Sequence, residues 1–146
     1  MSKKVTVSAD QSAGMVAQIQ MGEQQFIVDE TGLPEGENTS PDPYDYIMSA
    51  LGACTVITLH MYAKRKSWPL ERAEVTLEHE QVHARDCEDC ENADARISRI
   101  TKTLTLTGNL TEEQRDRLTE ISARCPVQKT LEEGVVIQTI LREGTL

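Results

Sequence analysis

The sequence predicts an α+β fold in which antiparallel hairpins of strands surround one long apolar helix. Two observations carry this prediction. Residues 4–29 and 73–108 contain runs that alternate between apolar and polar side chains, which is typical of half-buried strands. Residues 42–68 between them are the longest apolar segment and have the period of a helix. With 146 residues and no internal repeat, the chain is predicted to form one domain over residues 1–146.

The long apolar segment predicts a helix that the rest of the chain covers. Asp42 is placed at its N-cap, Pro43 at its first position and Asp45 in its first turn, where a carboxylate complements the positive end of the helix dipole. Basic residues 64–66 close the last turn, and the helix is about 36 Å long at the usual rise per residue. Apolar or small side chains cover nearly its whole circumference, which predicts burial. Its main apolar stripe consists of Tyr44, Ile47, Met48, Leu51, Cys54, Ile57 and Met61.

Five strands are predicted around this helix in the sequence, three before it and two after it. Three runs within residues 4–29 give the first three, and Gly22 marks a turn between the second and the third. Residues 73–84 and 97–108 predict a second hairpin, joined by an acidic segment. The apolar side chains of its second strand share one face, which is interrupted by Lys102.

The last third of the chain predicts two short helices and a strand. Thr111 and Gln114 have the spacing of a capping box and begin the first helix. Pro126 ends or kinks that helix and is well placed to start another, which Gly134 terminates. Residues 135–141 are apolar and predict a last strand. The predicted order is three strands, a helix, two strands, two helices and a strand.

The composition limits the partners and the compartment. A formal net charge of −9 argues against nucleic acids and anionic membranes, because both would repel the protein. We see no N-terminal signal region, and Asp45 and His60 interrupt the long apolar segment, so we expect a cytoplasmic protein with no membrane span. That compartment keeps thiols reduced, which favours catalytic, redox or metal roles for the cysteines over structural disulfides. The four cysteines are Cys54, Cys87, Cys90 and Cys125.

Two of the cysteines lie in contrasting helical settings. Cys54 is about three turns into the long helix, beyond the reach of the positive end of the dipole, and its position alone favours a buried and inert thiol. Cys125 immediately precedes Pro126 and therefore stands at the start of the following helix. Unpaired amides at a helix start stabilise a thiolate, so a reactive role and an inert one are both open for Cys125.

The other two cysteines form a CxxC pair, Cys87 and Cys90, downstream of His79 and His83. Two imidazoles and two thiols are a possible tetrahedral zinc set, although the spacing is not that of a common zinc module. A reversible disulfide between the two thiols is a second interpretation, and the absence of any special role is a third. No metal or other cofactor is therefore expected, with these four residues as weak metal candidates.

Three motifs identify a family when they are taken together. They are P-Y-D-x4-A-L-G-A-C-T over residues 43–55, LHMYAKRKSW over 59–68 and RCPVQKTLEEGVVI over 124–137. The chain from about residue 20 to residue 141 resembles the OsmC/Ohr family of thiol-dependent hydroperoxide reductases. Within it, the ALGAC and RCPV motifs look most like the branch described as OsmC-like predicted redox proteins.

The resemblance implies a two-cysteine peroxidase. Cys54 would attack an organic hydroperoxide and become a sulfenic acid, and Cys125 would condense with it to a disulfide that a dithiol reductant reopens. The fold that the resemblance implies is an intertwined homodimer in which antiparallel sheets wrap the central helices and the active sites are shared. An apolar pocket at the thiols would favour alkyl hydroperoxides.

Two positions depart from the pattern of the active peroxidases. No arginine occurs before Arg65, whereas the family places one in its N-terminal segment. Tyr44 stands ten residues before Cys54, where the family has a glutamate, and the adjacent Asp45 is a tentative substitute. Arg124 is a tentative source of the missing cation, as are Lys129 and the partner subunit. The alternative function is a redox-responsive, small-molecule-binding or metal-binding protein that keeps the fold and the thiols without efficient turnover.

Overall fold

The computed structural model describes residues 3–13, 15–30, 41–83 and 96–144. The chain divides into two compact units, Met1–Ser49 and Ala50–Leu146. The predicted acidic connection with the CxxC pair lies outside the described residues, as does most of the loop predicted before the long helix. The single-domain organisation stays a prediction.

The first unit contains a three-stranded antiparallel sheet. Its strands are β1 (Thr6–Ser8), β2 (Val16–Met21) and β3 (Gln24–Asp29), in the order β1-β2-β3, and a 3-10 turn covers Gln11–Ala13. Gly22 between β2 and β3 has φ of 57°, a backbone conformation that glycine adopts without steric cost. The three predicted strands and the turn at Gly22 are confirmed.

Helix α1 covers Pro43–Lys66, the bounds that the sequence predicts. It begins with a reciprocal pair of hydrogen bonds between Asp42 and Asp45. The backbone N–H of Asp42 donates to Asp45 Oδ2 at 2.8 Å, and the N–H of Asp45 donates to Asp42 Oδ1 at 2.9 Å. These bonds satisfy amides that a helix start otherwise leaves unpaired. Ser67 follows the last turn with φ of 57° and so ends the helix.

The second hairpin consists of β4 (Arg72–His83) and β5 (Arg96–Thr107), which pair antiparallel as a two-stranded sheet. One face of it lies close to α1. A Cβ atom on Gly52 of the helix would lie 2.9 Å from Leu77 Cδ1, so a larger residue there would require this leucine side chain to shift. In the register of the sheet Leu77 is opposite Lys102, which places Lys102 on this hairpin's partly buried face.

Two short helices follow the second hairpin. Helix α2 (Glu112–Ser122) begins with the predicted capping box: Gln114 N donates to Thr111 Oγ1 at 3.1 Å, and Thr111 N donates to Gln114 Oε1 at 3.0 Å. Helix α3 (Pro126–Glu133) has proline at its first position and Gly134 as its C-cap. Both helices confirm the sequence analysis, because their start and stop signals are local.

The core of the second unit lies where α1 and α2 meet the β4-β5 hairpin. Its central buried side chains are Leu59, Tyr62, Ala63, Leu118 and Ile121. Partly buried apolar side chains surround them, namely Trp68, Leu70, Ala73, Leu104, Leu106 and Leu110. Aliphatic residues dominate this core, in line with a sequence in which only 3% of the residues are aromatic.

The predicted last strand is wrong for the single chain. Residues 135–144 follow α3 without helix or strand, and every one of them is exposed. Val136 is 96% exposed and Leu141 is 91% exposed, although both are apolar. A strand requires a partner to pair its backbone, and no strand in the described part of this chain pairs with residues 135–144. The apolar pattern predicts that the segment pairs with another strand, but it does not predict which strand supplies the partner.

The prediction that α1 is buried on all sides is also wrong for the single chain. Leu51 and Leu59 are buried, whereas Ile57 is 58% exposed and Met61 is 68% exposed. The reason is geometric, because the β4-β5 hairpin and α2 cover only part of the circumference of the helix in the second unit. Apolar surface of α1 therefore remains available for a further contact.

By length and composition alone, α1 could also cross a membrane. Its mean hydropathy in the most apolar window is 1.3, and 28% of that window is buried. Core helices of soluble proteins meet the same requirement, so the finding carries no argument for a membrane.

Candidate functional site: two thiols beside a partly buried lysine

Cys125 lies between α2 and α3 and is the N-cap of α3. Its side chain has no exposed surface, and the backbone N–H of Gln128 donates to its Sγ at 3.3 Å. Pro126 at the next position begins the helix, as the sequence predicts. The sulfur therefore lies at the positive end of a helix, where free amides stabilise negative charge.

Thr55 contacts the same sulfur from α1. Its side chain is fully buried, and its Oγ1 lies 3.9 Å from Cys125 Sγ. The same hydroxyl donates to the backbone carbonyl of Leu51 at 2.8 Å. A hydroxyl has one proton, so it can serve the carbonyl or the sulfur but not both at once. Because Thr55 directly follows Cys54 in α1, this contact links the two cysteine motifs.

Lys102 reaches this pair from β5. Its Nζ donates to Thr55 Oγ1 at 3.2 Å and to the backbone carbonyl of Ser122 at 2.9 Å. Burial lowers the pKa of Lys102 because it disfavours the charged form, whereas negative charge on Cys125, Cys54 and Glu132 acts in the opposite direction. Both thiols are thus within electrostatic reach of one partly buried cation.

Lys102 was not predicted as a site residue, although the sequence pattern of its strand contained a signal for it. Lys102 interrupts the apolar face of β5, and the structure shows that face directed toward α1 and α2. A charged residue at a core-facing strand position needs polar partners to offset its desolvation. Such a break in an otherwise regular strand pattern is the observation that points to a functional lysine.

Cys54 is partly exposed and lines an open cleft of about 650 Å³. The cleft walls are mostly apolar, with two arginines among them. The other lining residues are Ile57, Thr58, Met61, Tyr62, Arg65, Ile121, Arg124 and Pro126. Position alone favoured a buried and inert thiol for Cys54, but the structure opens this thiol to a cleft that an apolar molecule can enter.

The structure also places the other candidate residues of the site. Arg124 is exposed and lines the cleft, whereas Lys129 is an exposed residue of α3. The carboxylate of Asp45 caps α1 through the reciprocal bonds with Asp42, and its catalytic role stays a prediction. Cys54 and Cys125 are both free thiols, and Thr55, the residue after Cys54, contacts Cys125 Sγ and accepts a hydrogen bond from Lys102.

The metal candidates fall mostly outside the described residues. Cys87 and Cys90 are not described, and neither is the side chain of His83. His79 Nε2 lies 3.1 Å from Ser98 Oγ, on the neighbouring strand. Among the residues that the structure does describe, no three His, Cys, Asp or Glu side chains are grouped closely enough to hold a metal ion.

The α+β fold carries two free thiols, one at a helix start and one in an apolar cleft. Together with the nearby cation of Lys102, they define a protein with a candidate thiol site. The profile of the family described as OsmC-like protein matches residues 36–140. The chain belongs to the OsmC-like protein family. The comparison with curated proteins gave no match.

Solved structures show the same fold at low sequence identity. An OsmC-like protein from Mycoplasma pneumoniae is 16% identical, with a TM-score of 0.67 over 90% of this chain and 88% of that chain. The organic hydroperoxide resistance protein OhrB of Bacillus subtilis is 16% identical, with a TM-score of 0.61 over 89% and 90%. An organic hydroperoxide resistance protein OsmC from Legionella pneumophila is 14% identical, with a TM-score of 0.64 over 90% and 89%. These likenesses confirm the predicted α+β, OsmC-like fold.

Proposed function

We propose that this protein is a thiol-dependent peroxidase that reduces organic hydroperoxides through Cys54 and Cys125. The observation that carries the proposal is the contact of Cys125 Sγ with Thr55, the residue after Cys54, beside the cation of Lys102. Family membership supports it, because relatives of the same fold are described as organic hydroperoxide resistance proteins.

The difference in solvent exposure between the two thiols supports the order in which they react. Cys54 lines the open cleft, whereas Cys125 has no exposed surface, so a hydroperoxide meets Cys54 first. The Cys54 thiolate attacks the distal oxygen, an S–O bond forms, the O–O bond breaks, and the alkoxide takes a proton and leaves as an alcohol. Cys125 then attacks the sulfur of the sulfenic acid, and an S–S bond forms as hydroxide leaves and is protonated to water.

The apolar cleft beside Cys54 favours organic hydroperoxides over hydrogen peroxide as substrates. Apolar side chains such as Ile57, Met61 and Ile121 form much of its wall beside Cys54. An alkyl or aryl group that enters the cleft leaves water, which contributes about 25 cal/mol for each Å² of apolar surface that is buried. Hydrogen peroxide has no such group. A dithiol reductant then reopens the disulfide, and the reaction needs no further cofactor.

Replacing Cys125 by serine tests the proposed order of the thiols. After one equivalent of cumene hydroperoxide, Cys125→Ser is expected to hold Cys54 as a sulfenic acid, because the thiol that would condense with it is gone. Dimedone labelling followed by peptide mass spectrometry should place nearly all of the label on Cys54. Cys90→Ser is the matched control and should give little labelling at Cys54. Dimedone on Cys87 or Cys90, with Cys54 unlabelled, would contradict the proposal.

The exposed apolar surfaces support a homodimer with shared sites. Ile57 and Met61 on α1 and the apolar residues within 135–141 are open to solvent in the single chain. A second copy of the chain offers a further wall for the cleft beside the helix and a strand partner for the C-terminal segment. We expect light scattering to give twice the chain mass of 16.3 kDa. Ile137→Asp should shift the measured mass toward that of one chain, whereas the control Gln138→Asp should leave it unchanged. A single-chain mass for the unmodified protein at micromolar concentration would exclude the dimer.

A further inference from the structure

We propose that Lys102 is a positioning residue that acts through the Thr55 hydroxyl to stabilise the Cys125 thiolate. As a consequence, reduction of the Cys54–Cys125 disulfide has a preferred direction. A dithiol attacks the Cys54 sulfur, and Cys125 leaves as the thiolate. The directional part rests on the proposed function, since it requires that disulfide. The stabilisation of the thiolate concerns the reduced protein and can be tested without any peroxide.

Within the described ranges, the Thr55 hydroxyl has one donor beside it, Lys102, and two acceptors. Lys102 Nζ donates to Thr55 Oγ1 at 3.2 Å and to the Ser122 carbonyl at 2.9 Å, which holds the ammonium group in place. Since Lys102 occupies a lone pair of the hydroxyl oxygen, the hydroxyl proton points elsewhere. Its two acceptors are the Leu51 carbonyl at 2.8 Å and Cys125 Sγ at 3.9 Å.

The Thr55 hydroxyl responds to the charge of Cys125. A neutral thiol is a weak acceptor, so the proton goes to the carbonyl of Leu51 while Cys125 is protonated. A thiolate is a far stronger acceptor, and hydrogen bonds to ionised groups are about twice as strong as neutral ones. On ionisation of Cys125 the Thr55 hydroxyl therefore turns to the sulfur, and Lys102 polarises it through the oxygen. The positive charge of Lys102 reaches the buried sulfur in this way.

Cys125 depends on protein groups for its solvation. With no exposed surface, its anion is stabilised by the Gln128 amide at 3.3 Å, by the start of α3 and by the Thr55 and Lys102 pair. Within the described part of the chain, the titratable groups whose charge acts on Lys102 are the two thiols and Glu132 on α3. Arg124 precedes Cys125 and Lys129 lies four residues after it, but both side chains are exposed, so solvent screens their charges.

The stability of the Cys125 thiolate affects the direction of thiol–disulfide exchange. When a reductant thiolate attacks Cys54 Sγ, a bond forms between the reductant and Cys54, and the Cys54–Cys125 bond breaks with its electron pair on Cys125. The second thiol of the reductant then attacks its own sulfur in the mixed disulfide, which releases Cys54 as a thiolate and yields the oxidised dithiol. A sulfur whose anion is stabilised leaves faster, and the exposure of Cys54 to the cleft favours the same direction.

The titration of Cys125 tests the role of Lys102. In a background that lacks Cys54, Cys87 and Cys90, the ultraviolet absorbance of the thiolate is followed against pH. Lys102→Met is expected to raise the midpoint by about one pH unit, a roughly tenfold loss of thiolate below the midpoint. Lys102→Arg should restore most of the thiolate, and the exposed Lys129→Met is the matched control that should leave the midpoint unchanged.

A second variant keeps the test independent of any folding defect in Lys102→Met. Thr55→Val retains the size of the side chain and the lysine but removes the hydroxyl, and it should raise the midpoint in the same direction. Circular dichroism checks that each variant is folded. Unchanged midpoints in Thr55→Val and in folded Lys102→Met, or an equal shift in Lys129→Met, would overturn the proposal.

The direction of reduction has a separate test. The disulfide is formed with diamide, so the outcome does not depend on peroxidase activity, and the oxidised protein is then treated briefly with 2-mercaptoethanol and quenched with acid. Peptide mass spectrometry should find the mercaptoethanol adduct on Cys54 and a free thiol at Cys125. An adduct mainly on Cys125 would overturn the direction. Failure of hydroperoxide to oxidise the protein would contradict the proposed function and leave both of these measurements interpretable.

Discussion

Replacement of Cys54 by serine is expected to lower hydroperoxide turnover by at least about 10³-fold, because the variant lacks the only nucleophile in the proposed first step. A serine hydroxyl is not ionised near neutral pH and does not form a sulfenic acid. The measurement is the consumption of cumene hydroperoxide with dithiothreitol in excess. We expect Cys54→Ser to give the rate of the reductant alone.

Two controls make this result specific. Cys90→Ser should retain the wild-type rate, since its thiol belongs to the CxxC pair and has no part in the proposed mechanism. Thr105→Val changes an exposed side chain of β5 that does not line the cleft and should retain the wild-type rate. Equal rates in wild type and Cys54→Ser would exclude the mechanism. Background rates in both would favour the alternative of a redox-responsive or ligand-binding protein.

The second large effect is on stability, at Gly108 after β5. This glycine has φ of 145°, and a Cβ atom there would collide with the backbone carbonyl oxygen of Pro69. Relief of the clash would disturb the hydrogen bond from Glu71 N to Thr107 O at 2.8 Å and the bond from Arg115 Nη2 to Gly108 O at 3.1 Å. Gly108→Ala is expected to lower the free energy of unfolding by about 3 kcal/mol or more.

Gly134 provides the matched control for this prediction. It also has a positive φ, 88°, but no heavy atom lies within 4 Å of the Cβ position. Gly134→Ala therefore carries backbone strain without a clash and should cost about 1 kcal/mol. Urea denaturation of both variants gives the comparison. Similar losses at the two glycines would show that the contact with Pro69 contributes nothing.

Elements whose signals are local could be predicted from the sequence. The bounds of α1 follow from Asp42, Pro43 and Asp45 at its start, and the start of α2 follows from the capping box at Thr111. The β2-β3 turn follows from Gly22, and these elements form as predicted. Each depends on residues that are neighbours in the chain, so no knowledge of the tertiary structure is needed.

Features that depend on distant contacts could not be predicted in this way. The fate of residues 135–141 depends on a strand partner, and the burial of α1 depends on how much of it the other elements cover. The proximity of Lys102 to Thr55 joins residues that are 47 positions apart in sequence. Strand alternation places Lys102 on the inner face, but no sequence rule tells which side chain of α1 it meets.

The two thiols illustrate both cases. The helix start after Cys125 is a local consequence of Pro126, and the structure confirms it. The importance of Cys54 came from the family resemblance, because its helical position alone favoured an inert thiol. Only the arrangement of α1 against the segment that carries Cys125 brings Thr55 to its sulfur.

The central claim is that Cys54 and Cys125 act as one redox pair, and disulfide mapping after a single turnover tests it most directly. Reduced wild-type protein is treated with one equivalent of cumene hydroperoxide, its remaining thiols are alkylated, and it is digested and analysed by mass spectrometry. We predict one linked pair of peptides, containing Cys54 and Cys125, with Cys87 and Cys90 alkylated. A disulfide between Cys87 and Cys90, with Cys54 and Cys125 both alkylated, would contradict the account.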